Sequence, residues 1–379
     1  MPTLIHIVGG NRWNGITRYA LDICSHFHSR GWEVMALTRD AKAVDSLFEK
    51  EGIKLFHAPL RGFSDYTSIK TLAGKLKETE GHVVVHAHGF RNVFTALAAR
   101  RLSGKRDVKV VMTRHKVRRA VDSWILKIIY RNLDALIFVS RAARDRFVST
   151  WHNRLMPITP EKMHVIHNSL NIPPLPYTPP SAGRPVTAMF HGPIKAAKGL
   201  EILIDAFALL KGTRIRLRIV GSGTPDYLDR LRRRAVAKGV VEMIDWHKHT
   251  DDPLPLIAEA DFGVLPSVAE EAFGLSNIEY MAMGRPQIAS SNGAQPEYIT
   301  DGWEGILIPP SNPGFLAENI KRLALDPDLR LRMGENACKS YSQRLSWPHF
   351  IDPLTRIYLG SDRENSQISD PPLEAGGKR

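Results

Sequence analysis

Residues 262–290 read FGVLPSVAEEAFGLSNIEYMAMGRPQIAS. An apolar run at 262–267 leads through a loop into a segment of helical period at 274–283, and then into a second apolar run at 285–290. Both runs are continuously hydrophobic instead of alternating, which suits strands covered on both faces. Strand, helix and strand in that order make a βαβ unit with two parallel strands.

The same alternation extends outward over the whole chain. Further strands are expected at 4–8, 82–88, 108–113, 135–140 and 164–169, and again at 186–192, 215–221, 241–246 and 305–310. Helices are expected at 15–30, 91–104, 117–132, 199–211, 225–239 and 312–325. One stretch interrupts the pattern: IPPLPYTPPSAGRP, 172–185, has six prolines in fourteen residues and cannot lie inside a helix or a central strand. It reads as a stiff linker between two domains. The expected organisation is a first α/β domain over 1–172, a linker over 173–185, a second α/β domain over 186–345, a final helix between the domains over 346–361 and a disordered tail over 362–379. Two domains also suit 379 residues, which exceed one ordinary core.

Hydrophobic residues at 43% and charged residues at 24% exclude a disordered or fibrous chain. No apolar run reaches the roughly 18 residues that cross a bilayer, and the N-terminus reads as a strand and loop instead of a signal peptide. The only cysteines, Cys24 and Cys338, point to a reducing compartment, so a cytoplasmic protein is expected, with a place at the inner face of the membrane left open. Residues 1–172 carry 28 Lys and Arg against 14 Asp and Glu, whereas the remainder is close to neutral. The first half is therefore expected to meet something anionic: a membrane surface, a phosphorylated glycolipid or nucleic acid.

In a doubly wound domain, ligands gather at the loops beyond the carboxyl ends of the strands. Five such loops carry candidate chemistry. In Glu271-Ala-Phe-Gly-Leu-Ser-Asn-Ile-Glu279, two carboxylates flank Phe273, Gly274 and Leu275 at a helix start. Free backbone N–H groups and the helix dipole suit a diphosphate there, and carboxylates suit vicinal hydroxyls. Spacing alone equally allows Glu271 to cap the helix and Glu279 to sit on its solvated face. His191-Gly192-Pro193-Ile194-Lys195-Ala-Ala-Lys198-Gly199 places glycines and lysines at a strand-to-helix turn without forming a Walker A loop. Val220-Gly-Ser-Gly223 is a glycine turn of low specificity, and Asn14-Gly15 feeds the first helix without the full dinucleotide fingerprint. His86, His88 and His115 stand at strand ends; His86 and His88 share a face, yet no third ligand has matching spacing for a metal.

These residues resemble the retaining family 4 glycosyltransferases, whose GT-B fold has two Rossmann-like doubly wound domains facing across a cleft. The resemblance spans roughly residues 3 to 360. It is carried by EAFGLSNIE followed by YMAMGRPQIAS, by the preceding ADFGVLPS, by PEYITDGWEGILIPPSNP and by IHNSLN, in family order. It implies that Glu271 contacts donor-sugar hydroxyls, that Glu279 binds the ribose, and that Phe273, Gly274 and Leu275 meet the diphosphate through their backbones. It further implies that Lys198 contacts phosphate, that Gly15 lies against the diphosphate, and that His115 stands near the reacting sugar with His88 on the acceptor side. Two positions depart from the family: Pro193 replaces the usual diphosphate arginine, leaving Lys195 to supply charge beside Gly192, and Asn14 stands where a double glycine is common.

The implied activity is metal-independent transfer, with retention, from a UDP- or GDP-sugar to an anionic glycan or glycolipid of cell-envelope polysaccharide or lipopolysaccharide synthesis. It needs no cofactor and takes the nucleotide-sugar as substrate. Front-face attack is expected, with the leaving phosphate helping to take the acceptor proton. Asp251-Asp252 reads as a loop or helix cap and not as a metal site. Three other readings remain: a nucleotide-sugar epimerase of the same fold, a basic nucleic-acid-binding protein, although nothing resembles a helix-turn-helix, RRM or zinc finger and the basic residues lack aromatic interleaving, and a catalytically weak scaffold prompted by Pro193.

Overall fold

The computed structural model describes residues 1–12, 14–151, 154–175, 177–178 and 183–360. Part of the proline-rich linker and all of the tail from 361 onward lie outside the described residues.

The first domain holds a seven-stranded sheet of β1 (Thr3–Ile7), β2 (Glu33–Thr38), β3 (Lys54–His57), β4 (Val83–Ala87), β5 (Val108–Arg114), β6 (Ala135–Phe138) and β7 (Met163–Val165). Their order is β3-β2-β1-β4-β5-β6-β7, and every pairing is parallel. The second domain holds β8 (Val186–His191), β9 (Ile215–Val220), β10 (Ile244–His247), β11 (Phe262–Leu265), β12 (Gln287–Ser290) and β13 (Gly305–Ile308), in the order β10-β9-β8-β11-β12-β13, again all parallel. The strand order reverses beside β1 in one sheet and beside β8 in the other. Those two switch points open the crevices in which such folds hold ligands.

All six strands expected in the second half form. In the first half, β2 and β3 escape the sequence reading for physical reasons. The buried part of β2 contains Met35, Ala36 and Leu37, all good helix formers, while β3 is an edge strand whose Lys54 and His57 are exposed. Helices Lys42–Lys50, Tyr66–Glu78, Arg141–Val148 and Pro327–Ser340 are likewise additional to those expected. The helix expected over 117–132 starts at Trp124, where the Ser123 hydroxyl accepts the Leu126 amide.

The last helix, Trp347–Leu359, corrects the expectation that it packs between the domains. Its apolar stripe of Trp347, Phe350, Ile351, Leu354, Ile357 and Tyr358 joins the core of the first domain, against Leu4, Tyr19, Ile23 and Phe27. The chain thus returns to its first domain after building the second. The contact between domains is made instead by a cluster joining Val139, Leu170 and Ile172 to Phe273, Tyr341 and Leu345. What is described of the linker lies along the second domain: the Leu175 amide donates to Ala282 O at 2.7 Å, and the Arg285 guanidinium covers the buried Tyr177 ring.

The second sheet is tightest at β11. A Cβ added to Gly263 would stand 2.3 Å from the fully buried Tyr280 ring. Overpacking of this kind costs about 1–3 kcal/mol. Gly263→Ala is therefore expected to lower the Tm of the second domain by about 2–4 °C for each kcal/mol lost. An unchanged Tm in differential scanning calorimetry would mean that Tyr280 is free to move aside.

Candidate functional site

A cavity of about 410 Å³ lies between the switch points of the two sheets. Asn14, Gly15 and Arg18 line it from the first domain; His191, Gly192, Pro193, Ser222, Leu275, Ser276 and Glu279 are among those lining it from the second. The Asn14 side chain caps the first helix, accepting from the amides of Ile16 at 2.9 Å and Thr17 at 3.2 Å. This cap places Arg18 one turn in, facing the second domain.

Glu279 sits inside helix Leu275–Ala282 and is 4% exposed, so it is not on a solvated face. Its Oε1 accepts from Arg18 Nη1 at 3.0 Å, across the cleft, and its Oε2 lies 2.5 Å from His191 Nε2. The other ring nitrogen of His191 meets the Tyr280 hydroxyl at 2.8 Å, and that hydroxyl donates to Met189 O. Burial by itself would push the Glu279 carboxyl up, but His191 and Arg18 outweigh it and hold the group below its ordinary value.

The same helix begins at Gly274, whose φ of +89° favours glycine, and no side chain caps its N-terminus. Leu275 and Ser276 of this first turn line the cavity, and Gly15 approaches from the other domain: a Cβ on it would meet Leu275 at 3.7 Å. Glu271 does not cap the helix. It pairs with Lys198, Nζ to Oε1 at 2.7 Å with both side chains 13% exposed, and Ser267 Oγ donates to the same oxygen. The lysine expected on phosphate and the carboxylate expected on sugar are thus paired with each other.

The remaining candidates fall as follows. Gly192 lines the cavity with φ +134°, and the glycine turn at 221–223 exists because the carbonyls of Gly192 and Ile194 press against it. Lys195 is exposed and does not line the cavity. The Phe273 side chain is buried in the interdomain cluster, and its carbonyl accepts from Tyr298 Oη. His115 is half-buried beyond the end of β5 and hydrogen-bonds to His88 at 3.1 Å. Both ring nitrogens of His86 are engaged, by Tyr358 and Thr113, so it has none left for a metal. Asp252 behaves as a turn residue, accepting from the Leu254 amide at 3.1 Å.

Arg18 and His191 were not singled out from sequence. His191 closes a strand just as His88 and His115 do, so the strand-end rule could have found it. Arg18 carried no signal until its helix register relative to Asn14 was known.

Known proteins match this chain in sequence and in fold. Residues 13–172 match the model of Glycosyltransferase Family 4, and residues 179–340 match that of glycosyl transferases group 1. An uncharacterised glycosyltransferase of Methanocaldococcus jannaschii is 27% identical over 308 residues, 79% of this chain and 81% of its own length. A glycosyltransferase from Rickettsia africae superposes with a TM-score of 0.82 at 19% identity, over 96% of this chain and 99% of its own. HepE of Anabaena in complex with UDP and glucose superposes with a TM-score of 0.78 at 20% identity, over 95% and 99%.

The Glu279 pairing has a pH signature. A carboxyl held low in the folded state contributes stability that is complete above its unfolded value and lost as pH falls through its folded one. The wild type is expected to lose Tm as pH falls below about 4.5, the ordinary value of the group, and Glu279→Gln to lose less over the same range. Parallel Tm curves would mean that the carboxylate is unpaired in solution.

Proposed function

Because the chain belongs to the family 4 glycosyltransferases of the GT-B fold, we propose that it transfers a hexosyl group from a UDP- or GDP-sugar, with retention and without a metal, to an anionic glycan or lipid-linked saccharide of the cell envelope. The observation that carries this reading is Glu279: a buried carboxylate aimed into a cavity between strand ends, one helical turn from uncapped backbone N–H groups. Such a site has an acceptor for ribose hydroxyls beside donors for a diphosphate. The binding of UDP and glucose by HepE, and of UDP-glucose in a further structure of that protein, supports the donor class.

The leaving group is a nucleoside diphosphate, and catalysis consists of stabilising the charge that grows on it. The amides at the start of helix Leu275–Ala282 contribute to this, and Lys198 turns from Glu271 to the phosphate as the donor enters. Glu271, released in the same exchange, accepts from the sugar hydroxyls. Both carboxylates lining the cavity, Glu279 and Asp251, come from the donor-side domain, which favours front-face attack over a covalent intermediate. In this reading His115 stands near the reacting sugar and His88 on the acceptor side.

The acceptor class rests on charge and on an exposed apolar patch. Val121, Trp124 and Ile128 are all exposed, Trp124 by 72%, among exposed Arg118, Arg119 and Arg131. Aromatic and aliphatic tips set among cations suit the interface of an anionic bilayer. The contact proposed is peripheral, at the cytoplasmic face; among the described residues no helix is long and apolar enough to cross a membrane.

With a donor chosen from a thermal-shift panel of nucleotide-sugars, Glu279→Ala is expected to raise the donor KM and Lys198→Ala to lower kcat/KM. Each loss is roughly ten- to hundred-fold, the value of a charge-assisted hydrogen bond. Unchanged kinetics in both variants would refute the site. In vesicle sedimentation the protein is expected to bind anionic and not neutral vesicles, and to be released by salt. Equal binding to both would remove the membrane from the account.

A further inference from the structure

The parallel register of β1 with β4 sets His6 directly beside His86. With His88 and His115 they form a cluster of four imidazoles, neighbouring ring centroids lying 4.7 to 5.3 Å apart. Three of them are joined in a line: His6 Nδ1 lies 3.2 Å from His88 Nε2, and His88 Nδ1 lies 3.1 Å from His115 Nε2. His6 is wholly buried, and its Nε2 has no hydrogen-bond partner. Burial drives the pKa of His6 and of His115 down to about 3, and burial together with the neighbouring histidines holds His88 well below its ordinary value. All three rings are therefore neutral near pH 7.

A neutral imidazole has one N–H and one lone pair. His88, in the middle, must donate through one nitrogen and accept through the other, so the three protons are coupled. Only two arrangements make both bonds. In one, all three protons sit on Nδ1, which leaves a bare lone pair at His6 Nε2 and an N–H at His115 Nδ1. In the other, all three sit on Nε2, which buries an N–H at His6 with nothing to accept it and leaves His115 Nδ1 bare. An orphaned buried N–H is the defect that folded proteins avoid most strictly. The first arrangement is therefore selected at the buried end of the line and read out at the half-buried end.

We propose that His6 and His88 are positioning residues that lock His115 as its Nδ1–H tautomer, so that His115 meets a substrate oxygen as a hydrogen-bond donor and not as a base. That a substrate stands beside His115 rests on the glycosyltransferase reading; the tautomer itself does not. The line also ends blindly at His6 Nε2, so it cannot carry a proton away. The acceptor proton is then left to the departing phosphate, in agreement with front-face attack.

The test is NMR of the full chain with 13C,15N-labelled histidine at neutral pH and without donor, the His115 signals being assigned by their loss in His115→Gln. The ring carbon and nitrogen shifts are expected to report His6, His88 and His115 as Nδ1–H tautomers. His6→Phe removes the proton that His88 Nε2 accepts, and is expected to convert the His115 signal into a tautomer mixture. Should that variant fail to fold, His88 substitutions serve instead. His88→Gln, whose amide can both donate and accept, is expected to keep the His115 signature, and His88→Leu to lose it. Wild-type His115 in the Nε2–H or cationic form would overturn the proposal, as would an unaltered His115 signal in His6→Phe or His88→Leu. A chain that shows the locked tautomer but turns over no nucleotide-sugar would sink the reaction and leave the lock standing.

Discussion

The Glu279 carboxylate is removed from water and must be paired where it stands, since an unpaired buried charge is among the costliest defects a fold can hold. Its two partners come from opposite sides of the cleft: Arg18 from the first helix of one domain and His191 from the end of β8 in the other. Much of the local structure serves this pairing. Gly263 leaves room for the Tyr280 ring, the Tyr280 hydroxyl is held by Met189 O, and the same hydroxyl orients His191. A glycine in a strand thus decides how a carboxylate in the neighbouring helix is held.

The two domains are also tied away from the cavity. Glu297 of the second domain accepts from the amides of Arg141 and Ala142 at 2.8 and 2.7 Å, so it caps a helix of the first domain, and it meets His167 at 2.9 Å. Ser169 Oγ donates to Leu345 O at 2.5 Å just before the chain returns to the first domain through Trp347–Leu359. Of these bonds the one from Ser169 is buried, beside the apolar interdomain cluster, where a hydrogen bond is electrostatically stronger, whereas those to Glu297 are part-buried or exposed. The cavity's polar groups are thus held between two domains fixed to each other.

The charged groups of the site are paired with one another. Lys198 answers Glu271, and Arg18 with His191 answers Glu279. A ligand must therefore offer each group a replacement at least as good as the one it loses. In the proposed reaction, donor hydroxyls take up the carboxylates and phosphate oxygens take up the lysine and the helix N-terminus. Lys195 takes no part in this exchange in the observed state, because it points into solvent and not into the cavity. Pro193 does line the cavity, but it brings neither charge nor N–H to it.

What the sequence determined by itself was local. Continuous apolar runs alternating with helical periods specified parallel sheets, six prolines in fourteen residues marked the division between domains, and 271–279 announced a helix start flanked by acids. Each of those signals lies within about a dozen residues, the distance over which propensity and periodicity act. The edge strand β3 was lost because an edge need not be apolar, and β2 because Met, Ala and Leu in its buried part favour helix as readily as strand. Only the tertiary structure decided which groups meet. Arg18 and Glu279 are 261 residues apart in sequence, and His6 and His88 are 82 apart. The long crossover between the parallel strands β1 and β4 brings His6 beside the end of β4, where His88 stands, and the facing of two separate domains brings Arg18 to Glu279, so the partners that set tautomer and charge are neighbours in space and strangers in sequence.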